Sequence, residues 1–565
     1  MNQLNQTDYI IFFLYFIGVS SYGYWIYKQK QQTKLDTKDF FLAEGSLTWW
    51  AIGASLIASN ISAEQFIGMS GNGFTFGVAV AAYEWLAAVA LIIVAVWFIP
   101  IYLKNHIYTM PQFLKTRYNE TVSLIMAVFW LFLYVFVNLT SILFLGALAI
   151  SSLVGPDYFH PIVIGLSIFA LIITLGGMKV IGYTDVFQVV VLVIGGLVTS
   201  YIALTLVSQK FGYGDDIVAG FSAMMRDSED HFHLIFEKPG PNTSQVEVNK
   251  YLTVPGITMY FAGQWIVNLN YWGCNQYITQ RALGADLKTA RTGILFAAII
   301  KLFMPLIVML PGIAAYVLYK NGSLQNEMAP GGKLLADNAY SAILSFLPNG
   351  LKGLSMAALT AAIVASLAGK ANSISTIFTL DIYHKYIKKE ATEKQLIWAG
   401  RITIFVAMLL SIALTWKDAL GIGREGGFTF IQKYTGYLSP GIFAVFLLGF
   451  FWKRTTGAAA VVGILGGFAL TTLFNNYAPE LFGHETILYT AFKNADGVYE
   501  IPFLVAMGWA FFFTVLVMVI MSMAGPAINP KSFKVDPSMF KLAPSATAMI
   551  TVIMLILTVL YVRFW

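Results

Sequence analysis

The sequence alternates along its whole length between long apolar runs and short polar segments. A helix needs about 20 apolar residues to cross a bilayer, and it satisfies its own backbone polar groups while it does so. About fourteen runs meet this length, at approximately 8–28, 48–75, 77–103, 122–154, 160–177, 183–208, 251–272, 290–319, 340–384, 396–417, 426–450, 456–476, 500–523 and 545–564. The sequence therefore predicts an all-α, polytopic membrane protein with about 14 transmembrane helices. The ninth run is long enough for its helix to continue beyond the membrane.

The composition agrees with this class and argues against others. Of 565 residues, 58% are hydrophobic and 11% are charged, whereas soluble domains carry about 25% charged residues. A single cysteine, Cys274, precludes an intrachain disulfide. We recognise no nucleophile motif, metal cluster or phosphate-binding loop. We therefore expect neither an enzyme nor a nucleic-acid-binding protein.

Basic residues indicate the orientation of the chain. They follow the odd-numbered runs, as Lys385, Lys388 and Lys389 follow the ninth. Because such residues are enriched in cytoplasmic loops, we interpret the net charge of +6 as an orientation signal rather than evidence for an anionic partner. The prediction is a multi-pass protein of the plasma (inner) membrane with both termini extracytoplasmic. The sequence carries no indication of the oligomeric state.

Within the second run, the stretch from Gly53 to Gly73 is a poor membrane helix. Polar side chains occupy its middle, namely Ser59, Asn60, Ser62, Glu64 and Gln65. Such groups must face protein, water or a ligand, and a broken helix at this depth must line a cavity. Secondary transporters bind solute and ion at discontinuous helices near the bilayer midplane. We predict that this segment forms half of a binding site.

Runs two to six and seven to eleven form two sets of five, which predicts an inverted repeat with a broken helix leading each set. The second set opens with another polar interruption, at 268–273. The expected domains are 1–47 (first transmembrane helix and basic cytoplasmic loop), 48–210 (first inverted repeat), 211–250 (extracytoplasmic loop), 251–450 (second inverted repeat) and 451–565 (three C-terminal transmembrane helices).

Five polar residues within predicted crossings are candidate ligands. Glu84 is costly in lipid unless partnered, which favours function over a structural carboxylate. Asn268 and Tyr271 are three apart and share a helical face, where they could bind a sugar or form an interfacial pair. Lys301 interrupts an apolar run and is predicted to pair with a carboxylate or donate to a ligand. Gln432 is weak evidence by itself.

Four other charged residues receive different interpretations. Glu64 is expected to partner a buried donor rather than to bind a ligand. Lys370 and Asp381 are expected to be solvated at the cytoplasmic end of the ninth run. Asp185, just inside the sixth run, either attracts a cation leaving toward the cytoplasm or caps a helix N-terminus.

Small residues at helical spacing suggest a cation site. Ala58 and Ile61 are three apart at the expected break, and Ala362 and Ser366 are four apart on one face of the ninth run. Three backbone carbonyls and the Ser366 hydroxyl would form a neutral oxygen cage suited to Na⁺. Tight packing of small residues is the alternative, and spacing alone favours it.

Several long segments resemble the sodium/glucose cotransporters of the solute:sodium symporter family, most closely the bacterial galactose-transporting members. They are GASLIASNISAEQFIGMSGNGF (53–74), YEW (83–85), NLNYWGCNQYITQR (268–281), VASLAGKANSISTIFTLDIY (364–383) and YTGYLSPGIFAVFLLGFFWKRTTGAAA (434–460). The resemblance runs through nearly the whole chain. It implies the inverted-repeat fold shared with the amino-acid/sodium symporters, with fourteen helices.

The resemblance also implies roles for individual residues. A hexose would be held by Asn60, Gln65, Glu84, Asn268, Lys301 and Gln432. The inner gate would be Tyr271, and the outer gate would be Met69, Tyr83 and Phe428. The Na⁺ site would comprise Ala58, Ile61, Ala362 and Ser366. Two positions depart from the family pattern, because Ala87 and Ala365 stand where galactose symporters carry serines.

The function expected from this resemblance is Na⁺-coupled uptake of a neutral hexose, galactose or glucose, by alternating access. The partners are then the sugar, the co-transported Na⁺ and the lipid bilayer. The alternatives are a Na⁺-coupled symporter of another small solute, such as a polyol or an amino acid, and an uncoupled sugar facilitator. Because Ala365 removes one hydroxyl ligand from the expected ion site, an uncoupled facilitator remains an alternative.

Overall fold

The computed structural model describes residues 4–30, 47–174, 178–329 and 332–565, and these are mostly helical. The expected basic loop at 31–46 lies outside the described residues. The α-helices are α1 (Gln6–Lys30), α2 (Trp49–Asn60), α3 (Ser70–Phe76), α4 (Ala81–Ile93), α5 (Ile99–Lys104), α6 (Met110–Arg117), α7 (Glu120–Phe132), α8 (Thr140–Val154), α9 (Phe159–Thr174), α10 (Met178–Lys210), α11 (Ile217–Asp227), α12 (Gln245–Thr253), α13 (Gly263–Gly273), α14 (Gln276–Leu283), α15 (Leu287–Val308), α16 (Leu310–Lys320), α17 (Gln325–Met328), α18 (Ala339–Leu344), α19 (Leu351–Thr376), α20 (Glu393–Thr415), α21 (Ile422–Glu425), α22 (Gly427–Phe451), α23 (Gly457–Thr472), α24 (Ala478–Phe482), α25 (Phe503–Met523) and α26 (Pro544–Phe564).

Wider π-helical turns join several of these helices into longer segments, at Glu64–Met69, Val94–Phe98, Leu133–Leu139, Ile377–Ile387 and Leu473–Tyr477. A short antiparallel hairpin of β1 (Phe492–Lys493) and β2 (Tyr499–Glu500) lies between α24 and α25. Among the described residues, twelve helical stretches are long and apolar enough to cross a membrane.

The difference between twelve and about fourteen has a physical origin in the broken helices. The stretch Glu64–Lys104 passes the length criterion as one unit, but Gly77 divides it with a φ of +66°. A Cβ at Gly77 would lie 2.2 Å from the His231 carbonyl oxygen, so only glycine fits this turn. In the predicted crossing at 251–272, the second half forms α13, which is too short to meet the length criterion. Interrupted helices therefore account for the crossings that a length count omits.

The first predicted break is confirmed. Helix α2 ends at Asn60, Ile61 adopts an extended conformation (φ −84°, ψ 102°), and the helix resumes with the π turn at Glu64. The second break follows the NLNYWG segment. Helix α13 ends at Gly273, and α14 begins at Gln276 with the Asn275 side chain accepting from the Tyr277 N–H at 3.1 Å.

The two sets of helices pack reciprocally. Helix α2 packs against α15, the second helix of the other set, and α13 packs in the same way against α4. Glycines permit the first contact, because a Cβ at Gly53 would lie 2.8 Å from the Gly293 carbonyl oxygen and one at Gly293 would lie 2.8 Å from that of Trp49. The broken helix of each set thus packs against the second helix of the other set, as expected for an inverted repeat. The exact domain boundaries remain predictions.

One detail of the predicted segments was wrong. The run 340–384 is not one helix, because α18 and α19 are separated at 345–350. The N-terminus of α19 is then held by the Asp8 carboxylate, which accepts from the N–H groups of Gly350 (2.7 Å) and Gly353 (3.0 Å). The segment 211–250, predicted to be an extracytoplasmic loop, carries α11 and the start of α12.

Candidate functional site

A polar cavity lies where the two broken helices meet. All six predicted substrate ligands line it, together with three of the four predicted gate residues. The lining comprises Asn60, Glu64, Gln65, Tyr83, Glu84, Ala87, Asn138, Val267, Asn268, Tyr271, Trp272, Asn275, Lys301, Lys370, Phe428, Ile431, Gln432 and Thr435. Elements of both sets contribute, so the cavity exists only in the folded bundle.

An ion pair forms one wall of the cavity. Lys301 on α15 donates to the Glu84 carboxylate on α4, and both side chains are buried. The same ammonium lies 5.4 Å from the ring centroid of Trp272. The expectation that Lys301 pairs with a carboxylate is therefore confirmed. Since removing one partner of a buried pair leaves an uncompensated charge, the two residues act as a unit.

The predicted gate residues in the lining make two contacts. The Asn60 amide donates to the Tyr271 hydroxyl at 3.2 Å. The rings of Tyr83 and Phe428 meet edge to face, with centroids 5.3 Å apart. Met69 is fully buried but is not among the cavity-lining residues. Its neighbour Gly68 allows close approach, because a Cβ there would lie 2.6 Å from the Phe428 backbone nitrogen.

Some polar atoms of the lining have no protein partner among the described residues. They include Asn60 Oδ1 and Glu64 Oε2, both buried. Buried polar atoms are nearly always hydrogen-bonded to protein, water or ligand. A third such lining atom, Thr435 Oγ1, can both donate and accept, so the cavity suits a solute rich in hydroxyl groups.

The prediction that Lys370 and Asp381 are solvated is wrong. Lys370 is 2% exposed and Asp381 is 6% exposed, because the segment from α19 to Ile387 is packed among other helices along most of its length. Lys370 Nζ lies 3.9 Å from Glu64 Oε1, and Asp381 accepts from Lys385 Nζ at 2.7 Å. The expected buried partner of Glu64 is therefore Lys370, a residue that the sequence reasoning had placed elsewhere.

The four predicted ion ligands are buried around the first break. The Ser62 N–H donates to Gln65 Oε1 at 3.1 Å, so it is not committed to the Ala58 carbonyl as it would be in a continuous helix. Ser366 Oγ donates to the Ser59 carbonyl at 2.9 Å, which leaves its lone pairs available. The carbonyls of Ala58 and Ile61 at the break and the Ser366 hydroxyl are hard oxygen donors suited to Na⁺, whereas the Ala362 carbonyl lies within the continuous helix α19.

A second hydroxyl reaches the same place. The Tyr277 side chain on α14 also donates to the Ser59 carbonyl. The predicted cage did not include Tyr277, whose phenol group contacts the same Ser59 carbonyl as the Ser366 hydroxyl. The signal in the sequence was its location directly after the second break.

Asp185 belongs to a buried polar cluster beside α2. It lies well inside α10, which begins at Met178, so the capping alternative is wrong. Its carboxylate accepts from Ser55 Oγ at 2.6 Å and lies 3.9 Å from the Arg281 guanidinium. Arg281 Nε in turn donates to Ser55 Oγ at 2.9 Å. The cluster ties α10, α2 and α14 together next to the proposed ion site.

A carboxylate outside the spanning segments supports the Phe428 side of the cavity. Asp337 accepts from the Gly427 N–H at 3.1 Å, one residue before Phe428. Burial raises the pKa of this carboxyl to about 6, opposed by the Gly427 hydrogen bond. Gly71 packs against the same residue, since a Cβ at Gly71 would lie 2.5 Å from Asp337 Oδ1.

Sequence reasoning overlooked several lining residues. Asn138 is an isolated amide inside a long apolar run, the same signal that identified Gln432. Asn275 lies two residues after the second polar interruption. Trp272 and Thr435 gave no comparable signal, because an aromatic or a threonine is common in membrane helices. Their contribution follows from the packing alone.

A helical bundle that encloses a polar cavity between two broken helices has the architecture of a secondary transporter. The profile of the sodium:solute symporter family matches residues 40–467, and the chain belongs to that family. It is a multi-pass membrane transporter that couples solute movement to Na⁺.

The similarity to individual proteins extends over most of the chain. The sodium/glucose cotransporter of Vibrio parahaemolyticus is 41% identical over 576 aligned positions, which cover 100% of this chain and 99% of that protein. Sodium/myo-inositol cotransporter 2 of Mus musculus is 34% identical and covers 83% of this chain and 69% of its own length. Sodium/glucose cotransporter 1 of Ovis aries is 32% identical, with coverages of 82% and 71%.

A solved structure supports the fold. The substrate-bound, outward-open structure of a Na⁺-coupled sialic acid symporter matches with a TM-score of 0.74 and 20% identity, covering 93% of this chain and 99% of that chain. The predicted all-α fold and its family are therefore confirmed, as is Na⁺ as the co-transported ion at the level of the family.

Proposed function

We propose that this protein carries a neutral hexose, galactose or glucose, into the cell together with Na⁺. The observation that supports this most strongly is the convergence of six amide, carboxylate and ammonium side chains from both helix sets on one buried cavity. Such groups pair with ring hydroxyls, and Tyr271 offers an aromatic face to the apolar side of a pyranose. The full-length similarity to a sodium/glucose cotransporter points to the same class of solute.

Each residue has a role in this proposal. The sugar is held by Asn60, Gln65, Glu84, Asn268, Lys301 and Gln432. Tyr271 forms the inner gate, while Met69, Tyr83 and Phe428 form the outer gate. The Na⁺ is held by the carbonyls of Ala58, Ile61 and Ala362 and the hydroxyl of Ser366. Asp185 lies on the path of ion release.

Coupling arises because Na⁺ and sugar favour the same conformation, so that each raises the affinity for the other. External Na⁺ binds first and stabilises the outward-open state. The sugar then enters, the outer gate closes and the inner gate opens. The protein works in the plasma (inner) membrane with both termini outside.

Uptake into proteoliposomes tests the proposal. Radiolabelled galactose and glucose are supplied with an inward Na⁺ gradient or a K⁺ gradient, and wild type is compared with Glu84→Ala and Ser366→Ala. Two controls match them: Glu120→Ala replaces an exposed glutamate, and Ser375→Ala removes a buried hydroxyl nine residues further along the same segment. We expect Na⁺-dependent accumulation that both site variants lose and both controls keep.

Other outcomes lead to different conclusions. Accumulation without a Na⁺ gradient would contradict the coupling, and equilibration without accumulation would identify a facilitator. A second candidate solute is a cyclic polyol, which presents the same ring hydroxyls and is favoured by the similarity to a sodium/myo-inositol cotransporter. Uptake of myo-inositol in the absence of hexose uptake would select it, and an amino acid would be tested next.

A further inference from the structure

A further buried ion pair lines the sugar cavity. Lys370 and Glu64 both line the cavity, and their charged atoms are 3.9 Å apart. Neither residue is among the proposed sugar or Na⁺ ligands. Glu64 belongs to the π turn directly after the first break, and Lys370 belongs to α19.

Helical spacing places Lys370 next to the proposed ion ligands. Ala362, Ser366 and Lys370 follow one another at intervals of four residues and so share one face of α19. One such interval is about 6 Å along a helix axis. The ammonium therefore belongs to the same side of the helix as the Ser366 hydroxyl, one turn away.

Tyr277, on another helix, connects the lysine to the ion site. Lys370 Nζ lies 5.3 Å from the ring centroid of Tyr277, and the Tyr277 hydroxyl donates to the same Ser59 carbonyl that Ser366 contacts. Gly369 makes this contact possible, because a Cβ there would lie 2.7 Å from Tyr277 Cε2. The ring thus holds the ammonium close to the break in α2.

The remaining charges nearby are already arranged in opposite pairs. Asp185 lies beside Arg281, and Glu84 receives a hydrogen bond from Lys301. The Lys370–Glu64 pair likewise adds no net charge. Removing one member of this pair therefore leaves a single uncompensated charge next to the ion site.

We infer that Lys370 is a tethered cation which, balanced by Glu64, sets the affinity of the neighbouring site for Na⁺. This inference rests on the proposed location of that site. The ammonium repels a second cation and the carboxylate attracts it, and burial limits the screening of both by water. The lysine thus keeps Na⁺ binding weak enough for release despite the presence of Glu64.

Sign-specific changes in Na⁺ affinity test this role. The Kd for Na⁺ is measured on purified protein without sugar, by binding of radiolabelled Na⁺. A unit charge at about 8 Å with an effective dielectric constant of about 20 changes affinity by tenfold or more. We expect Lys370→Met to lower the Kd on the order of tenfold and Glu64→Gln to raise it by a similar factor. The double variant Lys370→Met/Glu64→Gln should return close to wild type.

Two further variants separate charge from structure. Lys370→Arg keeps the charge and should keep the wild-type Kd, and Lys388→Met removes an exposed lysine beyond the end of the same segment and should change nothing. If both single variants shift the Kd in the same direction, or neither shifts it, the pair is only structural and the inference is overturned. Should Lys370→Met not fold, Lys370→Gln provides the same neutral test.

The measurement is independent of the solute. A protein that binds Na⁺ but transports no hexose would contradict the proposed function and leave this test intact. Wild type that binds no Na⁺, or a Ser366→Ala variant that binds it normally, would refute the ion site itself and the inference with it.

Discussion

Individual side chains decide what the cavity recognises, and Ala87 is the lining position that departs from the resemblance. It follows Glu84 by three residues on α4 and therefore shares its face. The Ala87 methyl group cannot form a hydrogen bond with a solute, whereas polar lining residues such as Glu84 can. The chain thus has room for one more polar contact.

Restoring that hydroxyl should strengthen sugar binding. Ala87→Ser is expected to lower the KM of uptake by about three- to tenfold, since a hydrogen bond contributes about 1 kcal/mol. Ala88→Ser is the matched control, because Ala88 is equally buried but does not line the cavity. An unchanged or higher KM for Ala87→Ser alone would show that the solute does not reach this part of the wall.

At the level of helices, charged side chains satisfy the buried ends of the elements that carry the site. Arg117, the last residue of α6, donates to the carbonyls of Gly449 (2.9 Å), Trp452 (3.0 Å) and Thr455 (3.1 Å). These carbonyls lie at and just beyond the C-terminus of α22, which carries Phe428 in its first turn. A guanidinium suits this task because its donors diverge in a fixed plane.

Replacing this arginine should destabilise the bundle. Arg117→Lys leaves at least one carbonyl without its donor and is expected to cost about 1–3 kcal/mol. The measurement is the Tm of purified protein in detergent. Lys115→Ala on the same helix is the control, because it removes only an exposed pair with Glu120, worth about 0–1 kcal/mol. Equal Tm values for both variants would contradict the capping role.

For the whole molecule, the distribution of basic residues predicts which side faces the cytoplasm. Exposed positions are available at Asn242, on the predicted outer side before α12, and at Lys388, on the predicted cytoplasmic side after the segment that ends at Ile387. The native Cys274 is fully buried, so it does not interfere with surface labelling. The orientation can therefore be measured with one introduced cysteine at a time.

We expect Asn242→Cys to react with a membrane-impermeant maleimide on intact cells. Lys388→Cys should react only after the membrane is permeabilised. The unmodified protein, with Cys274 alone, should stay unlabelled in both conditions. The reverse pattern would place both termini inside and overturn the orientation inferred from the basic residues.

The bundle and much of the cavity were predictable because their signals are local. Polar residues in apolar runs, such as Glu84 and Asn268, can be recognised from sequence because exposing them to lipid costs free energy. The first break was foreseeable because small residues precede the polar ones. Lys370 was misplaced because its position near the end of a long apolar run allows either a solvated or a buried lysine. The separation of α18 from α19 at 345–350 was not predicted for a related reason, because hydropathy does not indicate where one helix ends and the next begins.

The order of apolar and polar residues determined the class of this protein, the approximate number of crossings and the existence of a polar site, because lipid penalises each exposed polar group wherever it occurs. The pairing of those groups depended on the tertiary structure. Glu84 meets Lys301 and Glu64 meets Lys370 across more than 200 residues of sequence. No local pattern encodes such distances, since they are set by how α2, α4, α15 and α19 pack around the cavity.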